Sequence, residues 1–514
     1  MSNALIHGIV FALYLLVMLS IGIYFYNKTE SQSDYLLGGR KMNPWATALS
    51  AQASDMSGWL LMGLPGTAFL LIDAKTGYNN LAEAVWTAIG LGLGTYINWL
   101  ILAKRLRKFT EVYSDSITIP SYLENRFHSK TSVLRIVSAL FIILFFLIYT
   151  AAQFSAGAKL FQTVFGLDYR LALVIGLVVI VSYTFLGGYK AVCWTDLIQG
   201  ILMFFAIVFV AIVAFADLGG TKELQNTLAK PDILGHASTI EDWFGFKGLG
   251  FLGIASALAW GLGYFGQPHI ITRFMGIRSS KEIKPARRIA MLWVIITLTL
   301  AVVIGVIGKA YLSIKMAPDV FAAMDGEKIF IELVKVILDG PGLTIIAGAV
   351  LTAILAAIMS TADSQLLVTS SAVSEDIFKV LFKKDATDKQ LGWISRITVI
   401  VVSIIAASLA LDPNSSVFSL VSYAWAGFGA AFGPAILLSL YWKRMNNTGV
   451  IAGVISGGLT VLIWRNFIKP HFALYELLPA FIISVIFIVV FTLSTKAPQQ
   501  KIVDEFDKAL NSEV

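Results

Sequence analysis

Ala53-Ser54-Asp55-Met56-Ser57-Gly58-Trp59, followed closely by Gly63-Leu64-Pro65-Gly66, lies inside an apolar stretch over residues 44–72. The stretch is long enough to cross a ~30 Å hydrocarbon core as a helix. Asp55 falls in its middle, where a carboxylate costs ~2.5–3.5 kcal/mol on insertion scales and usually serves function. Ser54, Ser57 and Gly58 are small residues that let a helix unwind. The stretch therefore predicts a membrane helix interrupted beside an acid, and that pattern decides the fold class.

The rest of the chain has the matching composition. Of 514 residues, 57% are hydrophobic and 14% charged, against about 25% charged in soluble domains. Thirteen apolar spans are expected, near 5–26, 44–72, 82–103, 133–165, 171–188, 191–216, 248–272, 289–312, 341–374, 392–411, 416–440, 448–467 and 474–494. A spanning backbone must satisfy its own hydrogen bonds, which favours helices, and the short alternating segments of a β-barrel are absent. The expected fold is thus an all-α polytopic membrane protein in a lipid bilayer. The first apolar run is too long for a typical signal peptide, so none is expected. Cys193 is the single cysteine, which excludes an intrachain disulfide framework.

The net charge of +7 sits in short loops and does not suggest nucleic acid. Basic residues mark alternate connections: Lys28, Arg40 and Lys41 in the first, Arg105, Arg107 and Arg126 in the third, Arg273, Arg278 and Arg287 in the seventh. Lys379 and Lys383 follow in the ninth, and Lys443 and Arg444 in the eleventh. The sixth is rich in acids, including Asp217, Glu223, Asp232 and Glu241. The positive-inside rule then places the N-terminus outside, the C-terminus in the cytoplasm and the chain in the cell membrane. Between 315 and 340, Phe330, Ile331, Val334, Ile337 and Leu338 recur at helical spacing among Glu332 and Lys335, which predicts a surface helix.

An echo of the broken stretch occurs in the seventh span, Trp260-Gly261-Leu262-Gly263-Tyr264-Phe265-Gly266-Gln267-Pro268. Each interrupted span opens a group of five. Matching interruptions in two halves point to inverted repeats with a binding site where the helices break. The expected organisation is a first helix and loop over 1–43, repeats over 44–216 and 248–440, and an outer loop over 217–247. Two further helices over 441–494 and a cytoplasmic tail over 495–514 complete it.

Unwound carbonyls, hydroxyls and one carboxylate around Asp55 form an oxygen-rich site suited to a hard cation such as Na⁺; the plain alternative is a carboxylate salt-bridged for packing. The ninth span adds Ser360, Thr361, Asp363 and Ser364. Helical spacing puts Ala357, Thr361 and Ser364 on one stripe and Ser360 with Asp363 on the next, although such hydroxyls also serve as interhelical glue. Trp260, Tyr264 and Pro268 recur every four residues along one face and either enclose a compact ring with a cationic nitrogen or simply pack. Gly261 to Gly266 matches G-x-G-x-x-G without the strand that a dinucleotide site needs. His7, His128, His236, His269 and His471 lack metal-ligand spacing, and His269 is expected to support local structure. No enzyme, cofactor or obligate protein partner is expected.

These motifs, with Leu37-Gly38-Gly39-Arg40, Ala356-Ala357-Ile358-Met359-Ser360-Thr361 and Tyr423-Ala424-Trp425-Ala426, resemble the sodium:solute symporter family along nearly the whole chain. Within it they are similar to the branch that carries proline. The resemblance implies a LeuT-like core of two inverted five-helix repeats within thirteen spans. It implies a sodium site from Ala53, Met56, Ala357, Ser360 and Thr361, with Asp55 tuning affinity. It also implies a proline site near Ser57, Gly58, Tyr149, Trp260, Tyr264 and Pro268. Arg40 and Asp196 match functionally sensitive positions. Asp363 and Gln52 depart from the family pattern: Asp363 either adds a cation or proton site or pairs with a nearby cation, and Gln52 alters the first helix break. Secondary active import of L-proline with Na⁺ is the expected function. Rival solutes are another amino acid, pantothenate or a sialic acid, and the Trp260/Tyr264 pair suits a small ring better than a sugar. A channel would need a continuous pore, and a solute sensor a signalling domain.

Overall fold

The computed structural model describes residues 3–26, 32–73, 76–185, 188–230, 237–340 and 342–512. Lys28, Asp232 and His236 lie outside them. Helix is found within each of the thirteen expected spans over its described residues, and no named strand occurs among the described residues. In chain order the first are α1 (Asn3–Tyr26), the broken pair α2 (Pro44–Asp55) and α3 (Trp59–Phe69), α4 (Asn80–Val112), α5 (Val133–Phe165), α6 (Tyr169–Thr184) and α7 (Tyr189–Asp217). The pair α8 (Gly250–Ala259) and α9 (Pro268–Gly276) follows, then α10 (Ile283–Lys315), the short α11 (Ile329–Ile337) and α12 (Thr344–Leu381). The chain closes with α13 (Asp388–Leu409), α14 (Val417–Tyr441), α15 (Asn447–Ile468), α16 (Leu477–Leu493) and α17 (Gln500–Asn511). Nine helices among the described residues are long and apolar enough to cross a membrane, and the broken pairs, α6 and α16 are shorter.

Both interruptions occur where the small residues predicted them. Asn43 caps α2 by accepting from the Ala46 N–H at 2.9 Å, with Pro44 pre-set in the first turn. The helix stops at Asp55 because Met56 turns to ψ 77°. Gln52 is still inside regular helix, and its carbonyl accepts from Met56 N at 2.8 Å, so the break begins beyond it. In the other pair, Trp260–Gly266 winds as a 3₁₀ helix and Gln267 is extended before Pro268 restarts the α-helix. A methyl on Gly261 would land on the backbone of Gly90 and Gly94, and one on Gly263 on the Trp425 indole. These glycines let backbones approach closely.

Polar contacts sort the connections into two ends. At one end Lys190 pairs with Asp34 at 2.5 Å, Arg40 with Asp115 at 2.7 Å, Arg135 with Asp376 at 2.7 Å and Lys443 with Asp507 at 2.5 Å. Arg107 donates to Ile277 O at 2.7 Å. These contacts join the first, third, fifth, seventh and ninth connections to one another, and the eleventh to the tail. At the other end Asn79 reaches Asp242 O, Tyr311 reaches Asp217, Ser416 reaches Glu327 and Tyr169 reaches Ala410 O, all at 2.5–2.9 Å. The second, fourth, sixth, eighth and tenth connections meet there. The loops expected to be basic therefore share one end.

One expectation changes. Helix α11 is not a surface helix: Ile329, Phe330, Ile331, Leu333 and Val334 are all buried, because apolar residues occupy most of its circumference rather than one stripe. It packs against α10 and α12, leaving Lys335 and Glu332 paired at 3.0 Å. The tail 495–514, polar and mixed in charge by its sequence, also packs. In α17, Ile502, Phe506 and Ala509 are buried against the last turns of α4, with Phe506 edge-on to Phe109 at 5.1 Å.

Gly457 on α15 faces the α14 backbone at Ala430 with no space for a methyl, whereas nothing lies within 4 Å of a methyl built on Gly92. Gly457→Val is expected to destabilise the folded protein by about 1–3 kcal/mol through overpacking, and Gly92→Val to leave it unchanged. Thermal unfolding in detergent checks both.

Candidate functional site

The site follows from what the break does to main-chain groups. In an unbroken helix the Ser57 N–H would bond to Ala53 O; here it donates to Asp55 O at 3.0 Å. The released Ala53 carbonyl is met from α12, by Ser360 Oγ at 2.8 Å and Thr361 Oγ1 at 3.3 Å. Ser360 Oγ also lies 3.1 Å from Ala357 O. Ala53, Ala357, Ser360 and Thr361 thus converge. Met56 stands at the break itself, its sulfur 3.7 Å from Thr297 Oγ1.

Asp55 is fully buried. Its Oδ2 accepts from the Tyr264 hydroxyl at 2.7 Å, while Oδ1 has no protein hydrogen-bond partner. No ion pair to Asp55 occurs among the described residues, so the salt bridge that would make it a packing residue is missing. A buried carboxylate with one bare oxygen calls for a proton or a cation. Its backbone carbonyl is crowded instead, accepting from Trp59 Nε1 at 2.9 Å and from the Tyr149 hydroxyl at 3.3 Å.

Gln153 on α5 completes the break. Its Oε1 accepts from Gly58 N–H at 3.4 Å and its Nε2 donates to Ser57 Oγ at 3.2 Å. A methyl on Gly58 would fall 2.9 Å from Ala156 Cβ, so glycine is what lets α5 come this close. Ser57, Gly58, Tyr149 and Tyr264 therefore gather around Asp55.

Trp260, Tyr264 and Pro268 do not form one stripe. The 3₁₀ segment has three residues per turn, which turns positions four apart to different sides. Trp260 stacks between Phe418 at 5.0 Å and Tyr475 at 5.4 Å, and its carbonyl accepts from Trp425 Nε1 at 2.8 Å. Tyr264 touches Trp425 edge-on at 4.9 Å, which joins the aromatic group to Asp55. Pro268 instead lines a separate cavity with Tyr189, Thr272 and Arg273.

Arg273, expected among the loop charges, is fully buried. It donates to Ser50 Oγ at 3.0 Å, His269 O at 2.8 Å, Asp196 Oδ2 at 3.3 Å and Ser364 Oγ at 2.5 Å. Asp196 also accepts from Ser50 Oγ at 2.6 Å. Asp363 lies within electrostatic range of Arg273 and 3.4 Å from Ser364 Oγ. Arg40 is elsewhere, at the basic end, where it grips Asp115, Thr110, Met275 O and Ser116 O at 2.7–3.2 Å. Burial lowers the pKa of its guanidinium, and the Asp115 carboxylate opposes that shift.

Gln153, Trp59, Phe418, Tyr475 and Arg273 were not singled out as site residues from the sequence. The spacing of Arg273, four residues after His269 in the restarted helix, is the one signal that pointed inward rather than to a loop.

The model of the sodium:solute symporter family matches residues 35–457. The chain is 48% identical over 489 residues to the osmoregulated proline transporter OpuE of Bacillus subtilis, covering 95% of this chain and 94% of that one. It is 45% identical over 501 residues to the sodium/proline symporter of Escherichia coli, covering 98% and 95%. Its fold is shared with an outward-open, substrate-bound Na⁺-coupled sialic acid symporter at TM-score 0.75 and 21% identity, over 96% of this chain and 99% of that one. The architecture is accordingly all-α and LeuT-like.

Gln153→Leu would leave the Gly58 N–H and Ser57 Oγ buried without their partner. A loss of about 1–3 kcal/mol per unsatisfied group is expected, seen as a lower Tm. An unchanged Tm would mean that water or a rearranged side chain takes over both groups.

Proposed function

This chain belongs to the sodium:solute symporter family, and we propose that it imports L-proline together with Na⁺ by alternating access. One observation carries the proposal: a main-chain carbonyl, Ala53 O, freed at a helix break and met by two hydroxyls from α12. A cation placed there replaces the hydroxyl hydrogens as the partner of Ala53 O. Ala357 O and the Met56 carbonyl are the further oxygens assigned to it. Asp55 acts one step away, its bare oxygen attracting the ion and its other oxygen held by Tyr264.

Proline is assigned to the space bordered by Ser57, Gly58, Tyr149 and Tyr264, with Trp260 and Trp425 as its aromatic wall. Relatives named for proline at 43–48% identity support that solute over pantothenate or a sialic acid. Pro268 is given no direct contact with it. Binding of Na⁺ fixes the break and so orders the pocket. Positive coupling of ~1–3 kcal/mol would be typical and must act reciprocally between ion and solute. Each charge carried inward through the full field gains ~2.3 kcal/mol per 100 mV.

The shared end of the basic loops supports a cytoplasmic placement of that end, with the N-terminus outside and the tail inside. Residues 44–216 and 248–440 are the proposed inverted repeats, each opened by a broken helix. Asp196 and Asp363 serve as counter-charges to Arg273, and Arg40 clamps the cytoplasmic ends of α4 and α9.

Labelled proline should accumulate in proteoliposomes only with an imposed inward Na⁺ gradient. Asp55→Ala is expected to abolish that uptake while the protein remains inserted; wild-type uptake by this variant would falsify the cation role. Trp260→Ala is expected to raise the half-saturation for proline about tenfold, the effect of losing one aromatic contact of ~1.4 kcal/mol, and to shift that for Na⁺ far less. Equal shifts in both would reject its place in the solute pocket.

A further inference from the structure

The basic end carries a cavity to which nothing above gives a role. Along α4, Leu93, Ile97 and Leu100 are large apolar side chains that the fold leaves exposed. On a membrane-spanning helix such a row faces lipid chains. The apolar run stops at Ala103. Lys104 is exposed immediately beyond it, with Arg105 and Lys108 close behind. These three cations stand where α4 passes from hydrocarbon to headgroups, the level at which interfacial anchors lie.

Lys104, Arg105, Lys108 and Phe109 line a cavity of about 210 Å³, with Leu510 of the tail helix α17 as its remaining wall. No carboxylate of the described residues lines it. Arg105 is held by neutral groups: it donates to Leu440 O at 2.8 Å, and its guanidinium lies 3.8 Å over the Tyr441 ring. Tyr441 is itself fixed, its hydroxyl donating to Ile101 O at 2.7 Å. A carbonyl and a ring orient a guanidinium without cancelling its charge. Lys108 reaches Leu510 O at 3.2 Å, and Lys104 makes no ion pair among the described residues. Other cations at this end pair with carboxylates, as Arg40 does with Asp115, Arg107 with Glu111, Arg135 with Asp376 and Lys443 with Asp507. The cavity therefore keeps a positive field.

Depth and continuity select the anion. A phosphodiester lies at this level of the bilayer on every glycerophospholipid, and its acyl chain can follow Leu93, Ile97 and Leu100. A choline or ethanolamine headgroup would bring a further cation to the three already present. A headgroup of net negative charge avoids that repulsion, and basic pockets at the ends of spanning helices recognise such headgroups. A free phosphate would make no use of the apolar row.

We propose that this cavity binds the headgroup of an anionic glycerophospholipid. Lys104 and Lys108 meet the phosphate oxygens, and Arg105 adds its charge from its fixed place on Tyr441. Because Leu510 is part of the wall, the bound lipid also touches the docked tail. The site is separate from those assigned to ion and solute and depends on neither.

Native mass spectrometry of the full chain in detergent, titrated with dioleoylphosphatidylglycerol, tests the proposal. The first molecule should bind at least about tenfold more tightly than dioleoylphosphatidylethanolamine, since each cation near an anionic headgroup contributes about fivefold. Lys104→Gln, at an exposed position without an ion pair, is expected to weaken phosphatidylglycerol about fivefold and to leave phosphatidylethanolamine unchanged. Lys383→Gln, at an exposed lysine of the ninth connection, should change neither. Equal retention of the two lipids by the wild type would overturn the proposal. Equal losses in the two variants would do so too, because they mean diffuse attraction to the basic end. Inorganic phosphate should not displace the lipid, and displacement by phosphate alone would mean a site for a free anion instead.

Discussion

A peptide group released from a helix where no water can reach it must find another partner. Everything at the centre of this molecule answers that constraint. The break after Asp55 releases the Ala53 carbonyl and the Gly58 N–H at one level. Hydroxyls of α12 take the first and the Gln153 amide of α5 takes the second. Two helices, α12 and α5, are therefore locked to a segment that is not itself a helix. The small residues around it are there because only a short distance permits these bonds.

Buried charge elsewhere obeys the same physics. Asp55 sits beside the break with one oxygen bare, Asp196 is tied to Arg273, and Asp376 stands at the basic end. Each of these carboxylates keeps one oxygen without a hydrogen-bond partner. At the basic end Arg40 bonds to Met275 O in the last turn of α9 and pairs with Asp115, and Arg107 bonds to Ile277 O just beyond that helix.

Much of this was legible in the sequence. The apolar spans, both interruptions and the special status of Asp55 follow from composition and from small residues placed around an acid. The convergence of Ala53, Ala357, Ser360 and Thr361 was implied by family resemblance, and the fold brings those residues together. Other features were not legible, for identifiable reasons. Arg273 looked like a loop charge because a charge count ignores how far a restarted helix continues inward. Trp260, Tyr264 and Pro268 were read at 3.6 residues per turn, but their segment winds at three. Helix α11 was assigned to the surface from its interleaved Glu332 and Lys335, although Ile329 and Leu333 close the apolar circumference. Gln153 acts through long-range contacts, which leave no periodic trace.

The central claim is that Na⁺ is held at the interrupted helix by main-chain oxygen. A high-resolution structure determined in Na⁺ and again in a large organic cation tests it most directly. An ion should appear in Na⁺ alone, between the Ala53 carbonyl and the Ser360 and Thr361 hydroxyls, with the Ser360 hydroxyl hydrogen turned away from Ala53. Identical contacts in both salts, with the ion bound elsewhere, would contradict the account.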